Sequence, residues 1–314
     1  MKEIKLAVLG GGTGMSQLLK GLKKMPFDIS AVVSVCDDGM STGRLREEFK
    51  MPAVGDIRKV MISLSEYEEE ASRLLDYRFK TSSDLNGHAL GNILLTGANE
   101  VTGNVSDGIE LLNSFIRLKG NVMPLTEDNV TLMGRMEDGS VVEGEHHITE
   151  DKRNIKEVFY KEKPEVNPDV IKAIKKADAI ILSMGSLFTS IMPNLICKEV
   201  QEAIEKSHAK IIYVCNVMTQ PGETDDFAVS DHVKLLNNYL GKRKIDIVVV
   251  NDGHISPEII EKYASTEQKD VVEIDEDNLK DVVLIKDNYV SIEKGMIRHN
   301  SLKVAIDLFS YLIS

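Results

Sequence analysis

The residues with the clearest chemical meaning form a glycine-rich turn near the start of the chain. Residues 6–22 read LAVLGGGTGMSQLLKGL, in which an apolar run, a glycine turn and an amphipathic pattern follow one another. Backbone N–H groups and the dipole of the following helix bind phosphate in a turn of this kind. We therefore predict a nucleotide- or phosphate-binding site here. Its predicted members are Gly11, Gly12, Thr13, Gly14 and Met15.

The spacing of these glycines differs from a dinucleotide fingerprint. When the pattern G-x-G-x-x-G is counted from Gly10, its third glycine position holds Met15. When it is counted from Gly12, that position holds Gln17. The turn therefore fits a mononucleotide diphosphate better than a dinucleotide, and an NAD(P)-linked oxidoreductase remains the third of three interpretations.

A pair of carboxylates ends the second apolar run, in the segment DDGMSTGR. Asp37 and Asp38 occupy the place where a Rossmann protein carries its ribose-binding acid. The same loop composition, which includes Ser41, is suited to placing hard oxygen ligands near a diphosphate for Mg²⁺. Asp56, in VGDIRKV, either adds a carboxylate to that site or serves as the N-cap of a helix. Both interpretations are open on these residues alone.

Small, polar and glycine-rich residues also follow the later apolar runs. Ligands of open parallel sheets bind beyond the carboxyl ends of the strands, so these segments should converge on one edge. GSLFTS is a second candidate phosphate cradle, and NVMTQPGETDD carries side chains that can hydrogen-bond a base, a ribose or a sugar. In LNGHALGNILL, His88 is more typical of packing or capping. The predicted site residues in these segments are Asn92, Gly185, Ser186, Ser190, Asn216, Gln220, Gly222, Glu223 and Thr224.

Continuous apolar runs that alternate with helical patterns predict the architecture that positions these residues. The runs lie at 4–10, 29–36, 179–184, 210–216 and 245–251. Such runs favour a Rossmann-like parallel sheet with helices on both faces. The sheet is expected to belong to a single α/β domain that spans residues 1–314.

Two insertions interrupt the predicted sheet. Residues 56–118 show a helical pattern throughout and predict an α-helical insertion. Residues 121–160 change to alternation, with Asp138-Gly139 as a hairpin signal, and predict a small antiparallel β subdomain. The final segment, NSLKVAIDLFSYLI, predicts a helix with Asn300 or Ser301 as its N-cap.

Composition excludes several classes of function. The 314 residues carry a net charge of −12, which repels nucleic acid and acidic membranes. No apolar run reaches the roughly 18 residues of a membrane span, and the first strand leaves no room for a signal peptide, so we expect a cytoplasmic protein without membrane insertion. Motifs of the P-loop and of the G-x-S-x-G elbow are missing from the sequence. A nucleotide-binding regulator, a metal-dependent transferase acting on a diphosphate and a dehydrogenase remain.

Several longer motifs together indicate a family. GGGTGMSQLLKGL, VVSVCDDGMSTGRLREEF, GDIRKV, LNGHALGNILL, GSLFTSIMPNL, YVCNVMTQPGETDDFAVSDHV and IRHN occur in this order. In these motifs, over essentially its whole length, the chain resembles the YvcK group, called gluconeogenesis factor, within the CofD-like superfamily.

The resemblance implies a UDP-sugar-binding regulatory protein that is needed for cell shape and wall synthesis during gluconeogenic growth. Its ligand would be UDP-N-acetylglucosamine or UDP-glucose, and its partner the cell-wall synthesis machinery. It would require no cofactor. Self-association as a homo-oligomer is a separate expectation that does not follow from the resemblance. Arg298, in GMIRHN, resembles a family motif tied to UDP-sugar binding.

A related branch of the superfamily implies an alternative function. Its members are metal-dependent transferases that use a guanosine diphosphate donor. By motif, Mg²⁺ would be held here by Asp37 or Asp38 together with Asp56, and we take Asp38 and Asp56 as the predicted metal ligands.

Overall fold

A computed structural model describes residues 3–293 and 296–314. Its strands are β1 (Ile4–Gly10), β2 (Phe27–Val33), β3 (Asn121–Pro124), β4 (Leu132–Met136), β5 (Val141–Glu143), β6 (Ile155–Tyr160), β7 (Ala179–Leu182), β8 (Lys210–Val214), β9 (Ile247–Asn251), β10 (Val283–Asp287), β11 (Val290–Glu293) and β12 (Met296–His299).

The α-helices of the same residues cover and connect these strands. They are α1 (Gly12–Leu22), α2 (Met40–Phe49), α3 (Gly55–Leu64), α4 (Glu68–Leu75), α5 (Leu90–Thr102), α6 (Val105–Ile116), α7 (Glu145–Glu150), α8 (Pro168–Lys176), α9 (Met192–Leu195), α10 (Lys198–Lys206), α11 (Val229–Asn237), α12 (Pro257–Glu267) and α13 (Ser301–Ile313). A π-helical turn (Leu187–Ile191) precedes α9, and a 3₁₀ turn (Glu276–Asn278) precedes β10. Among the described residues, no helix is both long enough and apolar enough to cross a membrane.

Seven strands form a parallel sheet in the order β10-β9-β8-β7-β1-β2-β3. Side chains alternate between its two faces along β1. Leu6 and Val8 pack in a buried cluster with residues of α1, α3 and α13, whereas Ala7 and Leu9 pack with residues of α8 and α10 on the opposite face. The predicted α/β class, with helices on both faces of a parallel sheet, is confirmed.

The runs predicted as strands correspond to β1, β2, β7, β8 and β9. Two edge strands, β3 and β10, were not predicted. Residues 121–124 were assigned to the antiparallel subdomain, but β3 pairs in parallel with β2. Alternation describes which faces of a strand are buried and does not specify the strand's partner, so the pattern was compatible with either sheet.

The remainder of the predicted β-rich segment does form a small antiparallel sheet. Its order is β5-β4-β6. The turn between β4 and β5 contains Asp138-Gly139, with Gly139 in the left-handed region at φ 85°. The hairpin signal in the sequence is therefore confirmed.

The predicted helical segment 56–118 is not helical throughout. It holds α3 to α6, but residues 76–89 form a loop, in which the Phe79 N–H donates to the His88 carbonyl and the Phe79 carbonyl accepts from the Gly87 N–H. One further helix, α2, begins inside the segment that was expected to be a loop. At the C-terminus, the Asn300 side chain accepts a hydrogen bond from the Lys303 N–H, which confirms Asn300 as the N-cap of α13.

Candidate functional site

The glycine turn joins β1 to α1 at the carboxyl edge of the parallel sheet. Gly11 is the N-cap of α1 and supplies no side-chain cap. Gly12 has φ +63°, a conformation that favours glycine. A Cβ on Gly14 would lie 2.2 Å from the carbonyl oxygen of Met184, so the absence of a side chain at Gly14 lets α1 pack directly on the segment after β7. Gly14 therefore has a packing function in this turn.

The segment after β7 is held in place by side chains from the segment after β8. The Asn216 Oδ1 accepts a hydrogen bond from the Gly185 N–H at 2.9 Å, and its Nδ2 donates to the Gly185 carbonyl at 2.7 Å. The Ser186 hydroxyl donates to Glu223 at 2.7 Å and accepts from the Thr189 N–H at 2.9 Å. Asn216 and Glu223 therefore fix the shape of this turn.

Glu223 is buried, and burial raises the pKa of its carboxyl group although the Ser186 hydroxyl and the Phe188 N–H oppose the shift. Thr224, the next residue, also forms a hydrogen bond within the loop, because its hydroxyl accepts from the Gln220 N–H at 2.9 Å. Both side chains therefore contribute to the conformation of the loop.

A pocket of about 370 Å³ opens between the glycine turn, the segments after β7 and β8, and the α12 and β12 elements. The predicted residues that line it are Thr13, Gly14, Gly185, Ser186, Ser190, Asn216, Gln220 and Arg298. The structure therefore brings together residues from four separate motifs. They combine backbone N–H groups, hydroxyls, amides and one guanidinium, which are the groups that bind a diphosphate and a polar sugar.

Among the described residues, two cations line this pocket, and they differ in how they are paired. The Lys269 ammonium lies 2.8 Å from Glu267. The half-buried Arg298 guanidinium contacts only the Ile297 carbonyl, at 3.3 Å, and the Met296 sulfur, at 3.5 Å, among the described residues. Arg298 therefore retains most of its five N–H donors for a ligand.

Two further pocket residues, Tyr263 and His299, were not predicted. The Tyr263 hydroxyl accepts a hydrogen bond from the Ile297 N–H at 2.6 Å and so ties α12 to the strand that carries Arg298. The Nε2 atom of His299 donates to the Cys215 carbonyl at 3.0 Å. Burial lowers the pKa of His299 to about 4, so the ring is neutral at pH 7. IRHN was the only sequence signal for His299, and Tyr263 lies in an ordinary helical pattern.

A second region lies on the other side of the glycine turn. We call Asp37, Asp38, Asp56 and Glu145 the acidic cluster, because these carboxylates interact electrostatically. A Cβ on Gly12 would point at the Asp56 carboxylate, 3.5 Å away, so Gly11 and Gly12 face this cluster while Thr13 and Gly14 face the pocket. The residues of the predicted phosphate site are thus divided between the acidic cluster and the pocket.

Most groups of the acidic cluster are already bound. Asp38 accepts a hydrogen bond from the His146 N–H at 2.8 Å and caps α7. The Asp37 carboxylate accepts the Gly39 N–H at 3.0 Å. Burial, followed by the charges of Asp37 and Asp56, raises the pKa of Glu145 to about 7.

The two carboxylates predicted to hold Mg²⁺, Asp38 and Asp56, are already engaged by other groups. Among the described residues, no three His, Cys, Asp or Glu side chains converge to hold a metal ion. Asp38 is used as a helix cap, and Asp56 is paired with the Lys59 ammonium at 2.9 Å. The side chains present therefore do not fit a resident Mg²⁺, and no step is assigned to one.

The remaining predicted residues lie outside the pocket. Asn92 accepts a hydrogen bond from Arg58 at 2.8 Å and donates to the Ser41 hydroxyl at 3.2 Å, which in turn lies 3.0 Å from the Nδ1 of His88. This buried network links α2, α3 and α5. Hence the sequence interpretation of His88 as a packing residue agrees with its surroundings, and Ser41 and Asn92 are held within the same network.

Two more predicted residues, Met15 and Gly222, contribute to packing in the fold. The Met15 side chain is fully buried in the core, so only its backbone can face a ligand. Gly222 accepts a hydrogen bond from the Ile155 N–H at 3.0 Å and packs on Lys152, which docks the antiparallel sheet on the loop after β8.

Comparisons with known proteins agree with this architecture. Residues 6–289 match the family model described as 2-phospho-L-lactate transferase CofD. The chain is 44% identical over 304 residues to the "Gluconeogenesis factor" of Bacillus subtilis, a match that covers 96% of each chain. It is 43% identical over 308 residues to the "Putative gluconeogenesis factor" of Thermotoga maritima, covering 96% of this chain and 97% of the relative. A crystal structure of a UPF0052 family member from Bacillus halodurans superposes with a TM-score of 0.92 at 41% identity, covering 97% of this chain and 99% of the other.

Proposed function

This chain belongs to the 2-phospho-L-lactate transferase CofD family, and from that premise we propose that it is a regulatory protein that binds a UDP-sugar. The proposed ligands are UDP-N-acetylglucosamine and UDP-glucose. The observation that carries the proposal is the Arg298 guanidinium, which lines the pocket without a carboxylate partner among the described residues and faces the same cavity as the glycine turn.

The pocket supplies each type of contact that a sugar nucleotide needs. Backbone N–H groups in the first turn of α1, together with the planar fork of Arg298, suit the two phosphates. The hydroxyls of Thr13 and Ser190 add neutral hydrogen-bond donors along the cavity wall. A cavity of about 370 Å³ is within the range of small-molecule sites.

A binding function without turnover is favoured by the state of the titratable groups around the pocket. Glu267 is paired with Lys269, Glu223 is bonded to Ser186, and the neutral His299 ring uses its Nε2 proton on a carbonyl. A general base needs free access to the proton that it removes. These groups are instead engaged in fixing the walls of the pocket.

The names of the relatives support a role related to gluconeogenesis. Two relatives that match nearly the full chain carry the words gluconeogenesis factor. Within this proposal, the protein acts in the cytoplasm during growth on gluconeogenic carbon sources, influences cell shape and wall synthesis, engages the wall-synthesis machinery and assembles as a homo-oligomer. No cofactor is required for ligand binding.

A transferase acting on a nucleotide diphosphate donor is the alternative function. The description of the matching family model favours it, since that description names a transferase. Both functions place a nucleotide diphosphate in the same pocket. They differ in whether the bound nucleotide is consumed.

Calorimetry and product analysis test the proposal together. UDP-N-acetylglucosamine, UDP-glucose, GDP and NAD are titrated into the protein, and each mixture is then followed by ³¹P NMR for loss of the diphosphate. We expect saturable heat with a UDP-sugar and unchanged phosphorus signals. Binding of NAD or GDP in place of UDP-sugars would overturn the ligand assignment. Release of a nucleotide product would instead establish the transferase.

A further inference from the structure

We propose that Lys59 provides, at Asp56, the positive charge that a divalent cation would otherwise provide, so that this protein binds its nucleotide diphosphate without Mg²⁺. The inference rests on the proposed function only for the identity of the ligand. It concerns the acidic cluster, which lies beside the glycine turn and outside the pocket.

The positions of Asp56 and Lys59 on α3 carry the proposal. They are three residues apart, and the Lys59 Nζ lies 2.9 Å from Asp56 Oδ1. The same carboxylate accepts the backbone N–H of Gly12 at the start of α1. Asp56 is therefore enclosed by an ammonium group on one side and by the first turn of α1 on the other.

The charges that face Asp56 come from several elements. Asp37 follows β2 and Glu145 lies on α7, and both add negative potential. The neighbouring Arg58 is directed elsewhere, to Asn92 and to Asp76. Lys59 is therefore the side-chain cation that contacts Asp56 among the described residues. Its ammonium also interacts with Asp37.

A Mg²⁺ ion and this ammonium exclude each other at Asp56. Mg²⁺ requires near-octahedral oxygen ligands at about 2.0–2.1 Å and binds proteins through one or two carboxylates. Lys59 occupies an oxygen of one such carboxylate, and Asp38, the other predicted ligand, caps α7. Two cations at one carboxylate would repel one another. Removal of the ammonium should therefore leave that Asp56 oxygen open to a divalent cation and raise the affinity of the protein for Mg²⁺.

Isothermal titration of MgCl₂ into the nucleotide-free protein provides the test, at constant ionic strength and with thermal unfolding as a second readout. We expect no saturable binding and no magnesium-specific rise in Tm for the parent protein. Lys59→Ala should show saturable Mg²⁺ binding, at least about tenfold tighter than the weakest affinity that the titration of the parent would detect, which is the equivalent of about 1.4 kcal/mol. Lys59→Gln serves as a second variant if Lys59→Ala does not fold.

A matched control separates this effect from the loss of any surface lysine. Lys172 pairs with Asp169 at 2.8 Å with the same three-residue spacing, on the exposed face of α8. Lys172→Ala should leave magnesium binding unchanged. The double variant Asp56→Asn/Lys59→Ala should lose the magnesium site that Lys59→Ala gains.

Two results would overturn the proposal. One is saturable magnesium binding by the parent protein that Asp56→Asn abolishes. The other is a folded Lys59→Ala or Lys59→Gln protein that gains no magnesium affinity. Titration of the UDP-sugar in EDTA and in MgCl₂ adds the functional comparison, and equal affinities are expected. Failure to bind any UDP-sugar would refute the proposed function, while the magnesium titrations would still decide the role of Lys59.

Discussion

The pocket and the acidic cluster lie on opposite sides of one glycine turn, and they use polar groups in opposite ways. In the pocket, Arg298 keeps most of its donors unused and the walls are formed by fixed backbone. In the acidic cluster, Asp38 and Asp56 are bonded to a helix terminus and to an ammonium group. The two regions thus differ in their unused hydrogen-bonding capacity more than in the types of their residues.

The largest effect on stability is expected at Gly14, in the glycine turn that lies between the pocket and the acidic cluster. Gly14→Ala places a Cβ 2.2 Å from the Met184 carbonyl, so α1 must move away from the segment after β7. We expect a loss of about 3 kcal/mol in the free energy of unfolding, measured with urea, because overpacking of this kind costs about 1–3 kcal/mol or more. UDP-sugar binding should be lost as well.

Gly97→Ala is the matched control for that substitution. Gly97 lies within α5, and a Cβ there would meet no atom within 4 Å. This variant should gain about 0.5–1 kcal/mol from helix propensity. If Gly14→Ala were as stable as Gly97→Ala, the close contact between α1 and the segment after β7 would not exist.

The next largest effect is expected on ligand affinity and concerns Arg298, which lies in the pocket and not in the acidic cluster. Arg298→Ala removes the guanidinium that we place on the diphosphate, and should weaken UDP-sugar binding tenfold or more, since a charge-assisted contact contributes about 1.5–3 kcal/mol. Calorimetry measures the change, and ligand-free Tm should stay nearly constant. Arg135→Ala, which removes a half-buried arginine paired with Glu157 outside the pocket, is the control. An affinity within twofold of the parent would place Arg298 outside the binding site.

The acidic cluster should make the free energy of unfolding depend on pH. The pKa of Glu145 is raised to about 7 from an ordinary value of 4.5, so the folded state holds a proton that the unfolded state releases. Stability contributed by this group is present below pH 4.5 and is lost as pH rises to about 7. Since Glu145 is half-buried, the loss should be about 1–2 kcal/mol.

Glu145→Gln tests this pH dependence. The variant should be more stable than the parent at pH 8 and should show a smaller fall in stability between pH 5 and pH 8, as measured by urea unfolding. Glu150→Gln, at an exposed position of the same helix, should follow the parent at both pH values. Identical pH profiles for Glu145→Gln and the parent would show that the cluster does not disfavour charge on Glu145.

The smallest effect concerns how the pocket positions its arginine. Tyr263→Phe removes the hydroxyl that accepts the Ile297 N–H at 2.6 Å. The loss of one buried hydrogen bond should weaken UDP-sugar binding about fivefold, the equivalent of about 1 kcal/mol. Tyr77→Phe, on an exposed tyrosine, should leave the affinity unchanged. Equal affinities for the two variants would mean that Arg298 does not depend on Tyr263.

The sequence by itself determined the central strands, the covering of both sheet faces and the location of the glycine turn. These features are local, because hydrophobic periodicity and turn residues act within a few positions of the chain. Thr13 and Gly185 were predicted from such local patterns and Arg298 from its resemblance to a family motif, and all three line one cavity although they are far apart in sequence.

The tertiary structure alone decided which polar residues are free for a ligand. Asp38, Asn92 and Glu223 have the residue types of a binding site, yet each is bonded to a backbone N–H or to another side chain. Tyr263 was not predicted, because its place in the pocket depends on the packing of α12 against β12. A sequence lists donors and acceptors, but whether a donor is already satisfied depends on contacts between residues distant along the chain. Only the folded chain determines those contacts.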